Sequence, residues 1–201
     1  MPRYAERLLP AAYALLGLLA DGPAHGYELH RAFAPAGPLA DVYRLEINQL
    51  YSLLKKLAEM GLVEEAGFEP VGSAPPRRYF SITPSGREEL DRWLLEPVPH
   101  TREVRLEFLV KLYFAIGRGP DQARDLLVAQ RKTTFSMICG LKEQLGSVSL
   151  PPDDFRRLVL ELRLKQSEAV LGWLDGVMLR NHLHVPPPAT DEGALLSPKS
   201  T

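Results

Sequence analysis

Apolar residues recur along most of this chain at spacings of three and four, the period of helices, and only one short segment breaks that rhythm. The first stripe predicts a helix from Leu9 to Ala20, with Pro10 in its first turn, where a missing N–H costs nothing. Asp21-Gly22-Pro23 is a hard stop. A short second helix is predicted from Gly26 to Phe33, with Leu29, Ala32 and Phe33 on one face, before Ala34-Pro35-Ala36-Gly37-Pro38 breaks it. The third is the clearest, from Glu46 to Met60. Leu50, Leu53, Leu54, Leu57 and Met60 form a single stripe, and Gly61 stands where a helix-ending glycine belongs.

The rhythm then changes. Leu62-Val63-Glu64-Glu65 reads as a short strand, Pro70 to Pro76 as a turn, and Arg77 to Thr83 as the returning strand of a hairpin. Thr83 followed by Pro84 predicts an N-cap and first helical residue; Ser85 with Glu88 offers a second capping box close by. That helix runs to Leu95 and ends at Pro97 and Pro99. Three helices, a hairpin and a closing helix are the order of a winged helix-turn-helix.

The remainder is helical throughout, with helices expected at about 101–116, 120–146 and 152–181. The middle one carries Ala123, Leu127, Gln130, Thr134, Met137 and Leu141 on one side. The last carries Phe155, Leu158, Val159, Leu162, Ala169, Val170, Trp173, Leu174 and Val177, and Asp153-Asp154 put acid at its positive end. The short connector from Gly146 to Pro152 predicts antiparallel packing of these two helices. Helices this long need an apolar partner surface, and a second copy of the chain is the economical one. Residues 185–201, opening with Pro186-Pro187-Pro188, are expected to be disordered. The expected fold is mainly α with a small β-hairpin wing: a winged helix-turn-helix domain over 1–97 and an antiparallel helical dimerisation domain over 98–184.

Composition changes this picture in one respect. Hydrophobic content of 45% and charged content of 24% are ordinary for a globular protein. The net charge is −1, and residues 1–96 hold 10 Lys+Arg against 13 Asp+Glu, so the winged half is acidic. A nucleic-acid role must therefore rest on where its cations sit. The apolar run from Leu8 to Ala20 is shorter than the ~20 residues of a membrane span, and predicts a buried helix of a cytoplasmic protein. Cys139, the single cysteine, excludes an intramolecular disulfide and a multi-cysteine zinc site, and reads as a small buried apolar residue. The histidines, His25, His30, His100, His182 and His184, form no His-Glu-x-x-His helix. P-loop, dinucleotide and nucleophile-elbow motifs are absent, so neither an enzyme nor a cofactor is expected.

Four blocks then stand out together. They are Leu15-Leu16-Gly17-Leu18-Leu19; His25-Gly26-Tyr27-Glu28-Leu29; Asn48 to Leu57, running on to Glu59-Met60-Gly61-Leu62-Val63; and Arg77 to Thr83 with Ser85-Gly86. In this order and spacing, over residues 9–95, the chain resembles the PadR family of bacterial transcriptional regulators. The helical remainder looks like the longer C-terminal domain of the family's larger subgroup. The resemblance implies a dimeric repressor of operator DNA, released by a signal that in some members is a small molecule. One departure is the segment from Pro35 to Arg44, longer than a tight helix-turn-helix turn, which leaves the start of the recognition helix open.

The residues give the chemistry for such a role. Asn48, Gln49 and Ser52 lie on the polar side of the third helix, where amides and a hydroxyl suit base edges in the major groove. Tyr51 and Lys55 share a face, with Lys56 beside them, and suit phosphates. Arg77 and Arg78 leave the wing turn, and one of an alternating pair must point outward. His25 and Tyr27 open the second helix, either toward phosphate or as a cap and a core aromatic. Trp93 and Trp173 are either core aromatics or the walls of an effector pocket. A winged helix used only for protein contacts is the alternative that the acidic first half favours.

Overall fold

In the computed structural model of the chain, residues 8–71, 74–147, 151 and 154–180 are described, and of 68–71 and 74–77 the backbone alone. The readings of the Arg77 side chain, Asp153, His182, His184 and the 185–201 tail fall outside them. The fold is mostly helical with a small three-stranded antiparallel sheet. The chain divides into two compact units between Thr133 and Thr134.

In the first unit, α1 (Pro10–Leu19) is buried along nearly its whole length. It sits in a core with Leu29 and Phe33 from in and around α2 (Gly26–Arg31), and with Leu50, Leu54 and Leu57 of α3 (Ile47–Glu59). The long segment before α3 is pinned, not loose. Leu39 is fully buried, its N–H donates to Ala32 O at 2.9 Å, and Tyr43 N–H donates back to Leu39 O at 2.8 Å. The start of α3 is thereby fixed at Ile47, with Glu46 as N-cap. Gly61 takes the left-handed backbone, φ 71°, that ends the helix.

The wing differs from the expected hairpin in two ways. Its strands, β2 (Val63–Val71) and β3 (Ala74–Ile82), run to a tighter turn, with Val71 opposite Ala74. The prolines 70, 75 and 76 thus lie in strand. Beyond Tyr79 the ribbon is only two strands wide, so an absent N–H can face outward at an edge. A third strand was also missed: β1 (Ala24–His25) pairs antiparallel with Phe80 and Tyr79, giving the order β1-β3-β2. Two register shifts lie at Glu65/Gly67 and Glu69/Val71, and Gly67 (φ 142°) takes the first. After β3, Thr83 caps α4 (Pro84–Leu95): its Oγ accepts from Gly86 N–H at 3.1 Å and donates to Gly61 O at 2.7 Å.

The connector after α4 is held through its main chain. Lys111 Nζ donates to Glu96 O at 2.6 Å, and the Gln130 side-chain amide pairs with both N–H (2.8 Å) and C=O (3.1 Å) of Val98. His100 N–H donates to Glu103 Oε2 at 3.1 Å. The donors and acceptors come from a helical run of α5 (Thr101–Glu103), a π-helical turn (Val104–Phe108) and α6 (Leu109–Arg118), and from α7 (Pro120–Ser147). Lys111 is fully buried and lies 3.2 Å from Glu107, itself buried, which also accepts from Trp93 Nε1 at 3.0 Å.

In the second unit, the later part of α7 meets α8 (Phe155–Arg180), which Asp154 caps by accepting from Arg156 N–H at 2.9 Å. Ser167 Oγ lies 3.7 Å from Met137 Sδ, and Lys142 lies 3.5 Å from Glu168. Glu168, between Lys165 and Lys142, is held below the ordinary carboxylate range, first by its hydrogen bond from Lys165. The buried positions of α8 are Leu160, Ser167, Leu174 and Met178, a seam recurring by sevens and then a four. Of the apolar stripe read from the sequence, only Leu174 is buried, while Phe155, Leu158, Val159, Leu162, Ala169 and Trp173 are exposed. Cys139 corrects an expectation too: it is exposed, because Thr134, Ile138 and Leu141 turn the other side of α7 inward.

Candidate nucleic-acid interface

Helix α3 buries Leu50, Leu54 and Leu57 completely and Leu53 in part, so its other side is free for chemistry. Asn48, Gln49, Tyr51, Ser52, Lys55 and Lys56 are all exposed there. Three of them have local partners. Gln49 Oε1 accepts from Glu46 N–H at 3.1 Å, the return half of a capping box, which leaves its Nε2 to donate elsewhere. Ser52 Oγ donates to Asn48 O at 2.8 Å, keeping its acceptor lone pairs outward. Lys55 lies 3.9 Å from Glu59, a wide exposed pair worth little in water.

The start of α2 adds aromatic groups to this corner. Tyr27 is 65% exposed and meets the Tyr51 ring edge-on, with centroids 6.5 Å apart. Partial burial, and then the neighbouring Tyr27, push the Tyr51 phenol above its ordinary pKa. The raised Tyr51 phenol keeps its proton at neutral pH, and both hydroxyls can donate to an anionic oxygen. His25 takes the capping role: its Nδ1 accepts from Glu28 N–H at 3.2 Å. Its ring also meets Tyr79 of the wing edge-on at 5.5 Å, which joins α2 to the sheet. On the wing, Arg78 is exposed and paired with Glu65 at 3.2 Å. That pair restrains the guanidinium and offsets its charge.

The two tryptophans lie in different units. Trp93 is buried and stacked on Tyr13 at 4.3 Å, its N–H engaged by Glu107 and the Lys111 ammonium 4.7 Å from its ring centre. Trp173 is 37% exposed on α8. What sequence reasoning missed is the buried polar set of Glu107, Lys111 and Gln130 that holds the connector. The signal was present: Lys111 is the lone cation in an apolar run, four residues after Glu107.

Three helices, a small antiparallel sheet ending in a long two-stranded ribbon, and a polar face on the third helix define a winged helix-turn-helix protein. The comparisons with known proteins narrow the class. The profile described as "Transcriptional regulator PadR-like family" matches residues 15–92. The negative transcriptional regulator PadR of Bacillus subtilis (strain 168) is 30% identical over 178 residues, covering 83% of this chain and 94% of that protein. Among solved structures, B. subtilis PadR in complex with operator DNA is 26% identical with a TM-score of 0.45, over 87% of this chain and 99% of that one. The same protein in complex with p-coumaric acid is 25% identical with a TM-score of 0.40, over the same shares. The chain belongs to the PadR-like family of transcriptional regulators. No helix among the described residues is long and apolar enough to cross a membrane.

Proposed function

We propose that this chain is a dimeric repressor that binds operator DNA in the cytoplasm, carries out no reaction of its own, and is released by a small molecule. The observation that carries the DNA reading is the exposed polar face of α3, with two amides and a hydroxyl at its N-terminal end and Tyr51, Lys55 and Lys56 following. Amides at the start of a groove-entering helix suit base edges; phenol and ammonium suit phosphate. Arg77 and Arg78 extend the footprint along the wing, and His25 fixes the turn that presents Tyr27. DNA reading is assigned to residues 1–97. Repression follows the B. subtilis relative, a negative regulator. Dimerisation is assigned to the helices of 98–184, on the exposed apolar side of α8. The effector is proposed because the B. subtilis protein has been crystallised with p-coumaric acid. Trp173, 37% exposed on α8, is the better candidate to meet such a ligand, since Trp93 is buried.

Selection of bound duplexes from a random pool tests this reading. The expected result is a two-fold symmetric motif with half-sites about one helical turn apart. Recovery of no enriched sequence, with binding to random DNA that salt leaves unchanged, supports instead a winged helix for protein contacts. Lys55→Ala with Arg78→Ala should weaken binding to all sequences and flatten the salt dependence, whereas Gln49→Ala should change sequence preference.

A further inference from the structure

Gly26 is the first residue of α2 and is buried. Its neighbour across the helix-turn-helix is the Tyr51 ring. A Cβ on Gly26 would lie 2.5 Å from both Cζ and Oη of Tyr51 and 2.7 Å from Cε1. No real side chain fits at that distance. The phenol therefore lies where it does only because residue 26 has no side chain. The atoms that a Cβ would strike are the far end of a flexible, 39% exposed side chain, not backbone or core. They give way without disturbing Leu50, Leu54 or Leu57. Gly26 also has no positive φ that would demand glycine. At this first helical position alanine, where its backbone fits, stabilises by restricting the unfolded chain. Folding alone therefore gives no reason for it here.

We infer that Gly26 is a positioning residue for DNA binding: it lets the Tyr51 phenol lie over the start of α2, edge-on to Tyr27, so that two phenols from different helices present their hydroxyls together to the phosphate backbone. This rests on the DNA reading above. Tyr27 is set by α2 and Tyr51 by α3, so the pair also fixes how the two helices face one strand of the duplex. A displaced Tyr51 keeps its hydroxyl but loses its place beside Tyr27.

The test is a double-mutant cycle in the full-length protein, using the duplex that wild type selects from a random pool. Gly26→Ala should weaken binding by about five- to tenfold, the cost of one lost phosphate hydrogen bond. Tyr51→Ala should do the same, and the double variant should be no worse than Tyr51→Ala alone. The Tm of Gly26→Ala should equal or exceed that of wild type. Ring-proton cross-peaks between Tyr27 and Tyr51 should disappear in Gly26→Ala. Unchanged affinity of Gly26→Ala, additive losses in the double variant, a lowered Tm or retained cross-peaks would each overturn the inference while leaving the DNA reading intact. Failure of wild type to select any duplex removes the DNA reading itself, and the inference with it.

Discussion

Helices α3 and α8 are both amphipathic, yet they finish their apolar sides in opposite ways. The 13 residues of α3 bury Leu50, Leu54 and Leu57 completely within their own unit, and apart from Ala58 the exposed ones are polar or phenolic. The 26 residues of α8 bury one narrow seam and leave Phe155 80%, Leu162 59% and Leu179 79% exposed. A helix completed by its own chain can spend its surface on recognition. A helix left incomplete asks for another molecule. One charged pair from each unit shows the same contrast: Lys111–Glu107 is enclosed in the first, and Lys142–Glu168 is open to water in the second.

Five variants break or sharpen this contrast. The largest effect is expected from Lys111→Ala, which leaves the buried Glu107 without its ammonium and Glu96 O without its donor. A loss of about 3–5 kcal/mol in denaturant unfolding is expected. Leu54→Ala should cost about 2–5 kcal/mol at any protein concentration, because the cavity lies inside one chain. Leu162→Ala should cost almost nothing in dilute protein and more as concentration rises, as dimer linkage requires. Equal, concentration-independent losses at both positions would show that the contrast between the helices is not real. Next in size, Leu158→Glu with Leu162→Glu should give a folded monomer by light scattering. Its operator affinity should fall about 100-fold as the second module is lost. The smallest effect is expected from Glu168→Gln. Its lowered pKa means that the ion pairs contribute above the ordinary carboxylate value and are lost as the pH falls through the lowered one. The substitution should therefore shift Tm slightly at neutral pH and not at all in strong acid, as a scan of Tm against pH would show.

The legible parts of the fold were those governed by local rules. The α3 leucines with the Gly61 stop, and Thr83-Pro84 at the head of α4, are decided within a few residues and were legible in advance, although Met60 of the same stripe is exposed and Leu53 only partly buried. Strand β1 was not legible, because Ala24 and His25 become a strand only by pairing with Phe80 and Tyr79 over fifty residues away. Pro70, Pro75 and Pro76 disguised the wing strands, since proline marks a turn unless an edge tolerates it. On α8 two apolar stripes compete, and Ser167 in the buried seam made the exposed stripe the more conspicuous. At the candidate interface, residue types and exposure were readable in advance. The Gln49 cap, the His25 cap and the space above Gly26 depend on how α2 and α3 approach each other, which no spacing encodes.

The connector between α4 and α5 has one more consequence. Lys111 and Gln130 grip carbonyls and an N–H of Glu96 and Val98, groups that nearly every amino acid carries. These grips do not depend on which side chains occupy the segment, but they depend wholly on how many residues it contains. Related chains should therefore be free to vary in the identity of these residues, within what the buried Val98 position will hold, and should not vary in their number. Insertion of a single residue between Pro97 and Pro99 would put all the grips out of register at once. Most joints between parts of a protein tolerate added length more readily than changes in what they touch. Here the order is reversed, and the segment serves as a ruler.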